Sequence, residues 1–276
     1  MIIRNIDNCK TSSKNGEYGG ASGLKEGVVI DDENWLVKYP KNAGSLSRSE
    51  ELSYTLDPLS EYLGSHIYQI LGYPAHETML VERNNKICVA CKDFVSKNQR
   101  LVEVRTLKNT MNKELAEILE RDFSSTGSTH TVDFEEIKMH LNYNLALNKI
   151  PHIKDRFYDQ IVIDAFINNT DRNNGNWGLL RTEKGDQLAP IYDNGGAFNG
   201  KTPDSRIKRL LQSEKNVKNS VTNGISVYGR NGTNINNKEL LKYNISELKQ
   251  ALIRNVPLIK DNISKFKDLI KRILNH

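Results

Sequence analysis

The chain has little cysteine and no long apolar run. Only three cysteines occur among 276 residues, Cys9, Cys88 and Cys91. So few exclude a scaffold built on disulfides and fit a reducing compartment. Cys88 and Cys91 have CxxC spacing, but they lie in the apolar run at 87–90, which reads as a strand. Residues three apart on a strand face opposite ways, and no second CxxC follows, so two small buried side chains are expected rather than zinc or redox chemistry. The six histidines show neither HxxxH nor HExxH spacing, which removes the common zinc patterns. No segment approaches the ~18 apolar residues of a membrane span. Residues 1–10 mix Arg, Asn and Asp with isoleucine and lack the apolar core of a secretory leader. The cytoplasm is therefore the default location, with export by a route that needs no cleaved leader left open.

What remains is the composition of a globular chain. Hydrophobic residues make up 37% and charged residues 26%, enough to bury a sizeable core in one large domain or in two lobes sharing a cleft. The net charge of +5 is a mild basic bias. It suits phosphate ligands or an acidic partner. A nucleic-acid binder would be more basic and more clustered, so no nucleic-acid partner is expected. The oligomeric state leaves no trace in the sequence.

Residues 11–27 are rich in Gly and Ser and cannot form the interior of a regular element. Strands are expected at 28–30 and 35–39, with a turn at 31–34 and Pro40 ending the second. Apolar residues at 59, 63, 67, 70 and 71 recur with a helical period, and Gly72 and Pro74 stop that helix. A second hairpin alternates across 78–81 and 86–95 around Arg83, Asn84 and Asn85. Beyond about residue 100 the pattern turns helical: 107–119, 134–147, 155–168, 237–255 and 257–274 read as helices, and the polar stretches 121–133 and 213–237 as loops. Strands followed by helices predict an α+β fold, with a β-rich N-terminal lobe over 1–97 and a mainly helical C-terminal lobe over 98–276.

The chemistry concentrates in 166–198. An apolar helical segment ends in Asn168, Asn169 and Thr170, and Asp171 follows in a polar loop. Strands are expected at 177–180 and 188–192, the second broken by Asp193, Asn194, Gly195 and Gly196. With the turn centred between Lys184 and Gly185, Asn176 would face Asp193 across the hairpin. Two oxygen-bearing side chains would then converge, as a Mg²⁺ site completed by substrate phosphates requires. Asp171, five residues before Asn176, would stand beside them. One acid to accept a hydroxyl proton, with an Asn and a second Asp for the metal, is the set that phosphoryl transfer uses. Singly, each is an ordinary loop residue; the order and spacing carry the reading.

The N-terminal half has matching parts. Gly19, Gly20 and Gly23, with Ser22 among them, would present backbone N–H groups to phosphate oxygens. Lys38, on the second strand of the following hairpin, would reach the α/β-phosphates of ATP. The next helix should carry a carboxylate to orient that lysine. Glu61 is the choice, with Glu50 and Glu51 as upstream rivals.

The segments SGLKEGVVI (22–30), WLVKYP (35–40), SEYLGSHIYQILGYP (60–74), KDFV (92–95), NNTDRNNGNWG (168–178) and PIYDNGGAF (190–198) together resemble the HipA family of serine/threonine kinases. That family is a branch of the protein-kinase and phosphoinositide-kinase superfamily, and the resemblance covers nearly the whole chain. It implies a bilobal protein-kinase-like fold that uses ATP and Mg²⁺. It gives Asp171 the place of the catalytic-loop aspartate, Asn176 and Asp193 those of the metal ligands, Lys38 that of the phosphate-binding lysine and Glu61 that of the helix glutamate. Phe94 and Val95 fall at the hinge that meets adenine. The implied partner is a protein substrate with a Ser or Thr acceptor, and autophosphorylation is expected at Ser12, Ser13 or Ser22, around the glycine loop.

The sequence also departs from that pattern. Asn173 stands where this group usually has His; it can hydrogen-bond but cannot titrate. Asp193-Asn194-Gly195 replaces the Asp-Phe-Gly of eukaryotic kinases. The extra N-terminal subdomain of HipA toxins has no expected counterpart in 276 residues, which sets the toxin–antitoxin role and its DNA-bound partner aside. Two rivals stand beside the protein-kinase reading: a small-molecule or lipid kinase on the same core, and a pseudokinase binding module, against which the intact Lys38, Asp171, Asn176 and Asp193 weigh. Lys201, Arg206, Lys208 and Arg209 would either grip an acidic substrate or form a solvated helix face.

Overall fold

A computed structural model describes residues 3–18, 24–42, 54–120, 122–123, 132–230 and 233–275. In chain order the first elements are β1 (Arg4–Asn5), β2 (Lys25–Ile30), β3 (Glu33–Lys38), α1 (Asp57–Ile70), β4 (Thr78–Arg83) and β5 (Lys86–Lys92). Then come β6 (Arg100–Glu103), α2 (Val104–Leu119), β7 (Val132–Asp133), α3 (Phe134–Tyr143), α4 (Ile153–Phe166), β8 (Gly178–Thr182) and β9 (Gly185–Leu188). The rest are α5 (Asp204–Leu211), α6 (Glu214–Thr222), β10 (Ile225–Arg230), β11 (Thr233–Asn236), α7 (Asn237–Leu240), α8 (Ser246–Asp261) and α9 (Ile263–Leu274). The fold is α+β, with its strands concentrated toward the N-terminus and its helices toward the C-terminus. No helix among the described residues is long and apolar enough to cross a membrane.

The chain divides into two compact units. The first gathers Met1–Phe94, Pro190–Ser220 and Leu258–His276; the second gathers Val95–Ala189 and Val221–Pro257. The chain then re-enters the first unit, where Ile191 bridges to Ala75 and α9 packs against α1.

In the first unit a five-stranded sheet runs in the order β1-β4-β5-β3-β2. β1 is parallel to β4 and the other neighbours are antiparallel. Both hairpins close through two residues with positive φ, Asp31 and Asp32 (51° and 64°) and Asn84 and Asn85 (51° and 56°). That is the turn whose twist matches a right-handed hairpin, and Asn and Asp tolerate it better than other side chains. Cys88 packs with Val28, Val37 and Val81 in one cluster, and Cys91 with Leu80 and Val89 in another, with Leu59 and Tyr62 of α1 against it. The two cysteines thus face opposite sides of the sheet, as their spacing requires.

In the second unit β6-β8-β9 and β11-β10-β7 form two three-stranded sheets. Its core centres on Phe157 of α4, whose ring lies 5.6 Å from Trp177, 5.5 Å from Tyr228 and 6.3 Å from Phe134. These aromatic contacts fix both α4 and the start of the strand that follows the polar loop.

Several expectations are corrected. The β8–β9 turn consists of Glu183 and Lys184, so Leu179 faces Leu188 where the expected register put Pro190. The cause is Thr182, which pairs with Gly185 at φ +125° and closes the hairpin early. Asn176 precedes β8, and the segment expected as the return strand instead makes the Ile191–Ala75 bridge, so no ladder pairs Asn176 with Asp193. The stretch 213–237 is not a loop: it holds α6, β10 and β11, and Val227 and Tyr228 of β10 are core residues. The last helices break at 241–245 and at Asn262, with Pro257 inside α8. Pro257 cannot donate to the carbonyl of Ile253, but that residue is 65% exposed and water can serve its oxygen.

Candidate active site

In the first unit three elements meet at Lys38, the last residue of β3. Its Nζ lies 2.6 Å from Glu61 Oε2 on α1 and 3.0 Å from Asp193 Oδ1. The Glu61 side chain is 1% exposed and that of Asp193 is 37% exposed, so the ammonium joins a buried carboxylate to one open to solvent. Burial works against the lysine charge, yet Asp193 and Glu61 outweigh it and hold the ammonium well above its usual range. Burial likewise opposes ionisation of Glu61, but Lys38 and a hydrogen bond from His76 keep its carboxyl well below the ordinary value. At Asp193 desolvation is overcome mainly by Lys38, and that carboxyl too sits low.

Residues around this contact hold it in place. The backbone N–H of Asn194 donates to Glu61 Oε1 at 2.8 Å, and Asn194 Nδ2 donates to Ser65 Oγ at 3.0 Å. His76 Nε2 lies 3.0 Å from Glu61 Oε1 and 2.9 Å from Ser65 Oγ. The backbone N–H of His76 donates to Ile191 O at 2.9 Å, which ties the start of 191–195 to the chain just before β4. Asn194 and Ser65 are wholly buried. Asn194 therefore does with hydrogen bonds what an apolar side chain at that position would do by packing. Cys91 completes a buried trio with Glu61 and His76, one ligand-type atom from each lying within 4.8 Å of the others. Glu61 and His76 are already engaged by Lys38, Ser65 and Asn194.

The segment before the glycine loop is also anchored. Ser12 N–H donates to Gly27 O, Gly27 N–H donates to Asn15 Oδ1, and Lys14 Nζ and Tyr18 Oη reach Asp93 Oδ2 at 2.7 and 3.0 Å. Next to Asp93, the Phe94 ring lies 5.7 Å from that of Tyr192.

In the second unit the residues from 164 to 177 form a turn system tied to the start of α2, where the N–H of Arg105 donates to Asn174 O at 2.7 Å and that of Val104 to Trp177 O at 3.1 Å. Asn168, at φ +51°, ends α4 in the left-handed conformation that Asn adopts readily. Asn169 Oδ1 accepts from the N–H of Asp171 at 3.1 Å. Asn176 Nδ2 donates to Asp171 O at 2.6 Å. Asn173 Nδ2 donates to Asp171 Oδ1 at 3.1 Å, while its Oδ1 accepts from the N–H of Gly175 at 2.8 Å. The amide at 173 thus holds the Asp171 carboxylate from one side, a task that a neutral donor performs at any pH.

Sequence reasoning chose Glu61 to orient Lys38 and set Asp193 opposite Asn176; the structure brings both carboxylates to Lys38. It likewise joins Asp171, Asn173 and Asn176 in one loop. Val95 begins the second unit. Gly19, Gly20, Ser22 and Gly23, and the rival Glu50 and Glu51, lie outside the described residues. Ser65, His76, Asn194, Asp164 and Arg172 escaped the sequence reading. Asp164 carried a signal, as the acid within the apolar run at 161–167; His76 carried none.

The α+β fold, with a lysine on a central strand paired to a helix glutamate and an aspartate loop in the second unit, is of the kinase type. The serine/threonine-protein kinase CtkA of Helicobacter pylori (strain J99) is 35% identical to this chain over 207 residues, which is 74% of this chain and 59% of that protein's length. The crystal structure of a Helicobacter pylori proinflammatory kinase CtkA superposes with a TM-score of 0.81 at 29% identity, covering 98% of this chain and 87% of that one. In sequence and in fold the chain is CtkA-like. No protein-family model matches it. A complex of HipA, HipB and operator DNA from Shewanella oneidensis MR-1 overlaps at a TM-score of only 0.39 and 11% identity, from which nothing follows for this chain.

Proposed function

We propose that the chain is an ATP- and Mg²⁺-dependent serine/threonine protein kinase of the HipA-like group. The observation that carries this is the Lys38 ammonium shared between Glu61 and Asp193, in a chain similar to CtkA along most of its length. A lysine held this way is fixed in direction and kept charged, as a group that places a triphosphate must be. The reading gives phosphate placement to Lys38 and to the glycine loop, Gly19, Gly20, Ser22 and Gly23, and adenine contact to Phe94 and Val95.

Asp171 is assigned as the base that takes the proton from the acceptor hydroxyl, an effect worth ~10²–10⁴-fold in rate. Asn176 and Asp193 are assigned as the Mg²⁺ ligands. Their donors suit a hard cation: Asp193 offers a carboxylate kept ionised beside Lys38, and Asn176 an amide oxygen, its Nδ2 being spent on Asp171 O. The ion, when bound, neutralises charge developing on the transferred phosphoryl group. The acceptor is Ser or Thr on a protein partner. For autophosphorylation Ser13 is the better candidate in the described segment: it is exposed, whereas Ser12 is 3% exposed and donates to Asn34 Oδ1 at 2.6 Å.

The test is transfer from labelled ATP with Mg²⁺ to protein and to phosphoinositide acceptors, for the wild type and for Asp171→Ala. Label on Ser or Thr, lost in Asp171→Ala, is the expected result. Label on lipid alone would move the assignment to a lipid kinase, and equal transfer by both proteins would remove Asp171 as the base.

A further inference from the structure

The side chain of Arg172 is 1% exposed, and that of its partner Asp164 is 6% exposed. Arg172 Nε donates to Asp164 Oδ2 at 2.9 Å and Nη2 to Oδ1 at 3.3 Å. The third nitrogen, Nη1, donates to the main-chain oxygen of Asn176 at 2.9 Å. Asp164 Oδ1 also accepts from Asn169 Nδ2 at 3.1 Å, and Asn169 in turn receives the N–H of Asp171. One buried ion pair thus grips the loop on both sides of Asp171: through Asn169 just before it and through the carbonyl of Asn176 after it.

A buried ion pair is a poor device for stability alone, because desolvation of both charges offsets most of their attraction and an apolar pair of equal volume packs as well. What an apolar pair cannot do is donate to the Asn176 carbonyl and accept from Asn169 together. The planar guanidinium, with its donors in a fixed fork, also sets angles that a lysine on a flexible stem does not. Ile167 and Trp177, both buried, bracket the loop, and the residues between them, 168–176, are polar or glycine.

We infer that Arg172 and Asp164 are positioning residues for phosphoryl transfer, setting the places of Asp171 and Asn176 without touching substrate. The inference rests on the roles proposed above for those two residues. A misplacement of about 1 Å in such a site costs roughly 10²-fold in rate. The phosphate-placing role proposed for Lys38 belongs to the other compact unit, with Glu61 beside it.

The experiment compares wild type, Arg172→Ala, Arg172→Lys and Asp164→Asn. It measures kcat, the KM for ATP, thermal melting, and amide hydrogen exchange of the 168–177 peptide. The expected result for Arg172→Ala is a fall in kcat of about 10²-fold with the KM for ATP within about threefold, and partial recovery on adding methylguanidinium. Arg172→Lys should keep the charge pair with Asp164, lose the Asn176 carbonyl, and show the same split between kcat and KM. In all three variants exchange should rise in 168–177 and not in β2–β5. If Arg172→Ala does not fold, the other two variants decide. Unchanged kcat in every folded variant overturns the inference, and so does a loss of kcat, ATP affinity and melting temperature together without methylguanidinium recovery. Should the wild type transfer no phosphate, the kinase reading fails on its own, and the exchange measurement still decides whether the pair orders the loop: exchange equal to wild type in 168–177 overturns it.

Discussion

In the first unit Lys38 reaches Glu61 and Asp193, 23 and 155 residues further along the chain. In the second, Arg172 reaches Asp164 eight residues before it and the carbonyl of Asn176 four residues after it. Both networks are cation–carboxylate contacts with at least one buried partner, yet they form differently. The Arg172 network needs one helix end and one loop. The Lys38 network exists only when β3, α1 and the returning segment at 191–195 are all in place, so it reports on assembly of the first unit. Two kinds of failure are therefore expected: perturbing the long-range network should cost nucleotide binding, whereas perturbing the local one should cost the transfer step.

The largest effect should come from Lys38→Met. It leaves Glu61, 1% exposed, as a buried carboxylate without its cation, a loss of about 3–5 kcal/mol when one partner of a buried pair is removed. Denaturant unfolding and ATP binding should both show it; a variant as stable as wild type would mean that the contact does not hold the first unit together. Gly178→Ala comes next. A Cβ at that position would meet Val102 O at 2.5 Å, and a backbone atom cannot give way. The β6–β8 pair must shift, at about 1–3 kcal/mol, with ATP affinity left intact. A parallel loss of ATP binding would erase the distinction between the two units.

Acid separates the units more finely. Glu61 has its carboxyl held below the ordinary 4.5, so its contribution is complete above that value and is lost as pH falls further. His140, on α3, is pushed down to about 4 by burial and by Lys108, so the unfolded chain takes up its proton first and stability drains between pH 6.5 and 4. Melting followed against pH should therefore show His140→Gln flattening the limb between 6.5 and 4, and Glu61→Gln flattening only the region below 4.5. The smallest effect should belong to Arg181→Ala. Its pair with Asp186 at 2.7 Å has the arginine 48% exposed, and such surface pairs are worth about 0–1 kcal/mol.

The same contrast between local and distant explains what the sequence made legible. The β2–β3 and β4–β5 hairpins, α1 and the polar loop around Asp171 are set by nearby residues, and periodicity with turn chemistry located them. The opposed faces of Cys88 and Cys91 followed from strand alternation alone. The β8–β9 register did not, because a shift of two keeps the same side chains on the same face, and only the turn geometry at Gly185 distinguishes the two. β10 was missed because Gly, Ser and Asn surround a strand whose burial is decided by Phe134 and Phe157, far away in sequence. At the site, Glu61 was chosen to orient Lys38 from the order of elements along the chain, and Asp193 was set opposite Asn176. The placing of Asp193 on that same lysine, and the roles of His76, Ser65 and Asn194 around it, depend on contacts between distant segments that no local pattern encodes.

The most direct test of the account measures ATP binding and phosphate transfer separately in Asp171→Ala and Lys38→Met. The account predicts that Asp171→Ala binds ATP as the wild type does and transfers ~10²–10⁴-fold more slowly, while Lys38→Met loses both. Transfer by Asp171→Ala at the wild-type rate would contradict it.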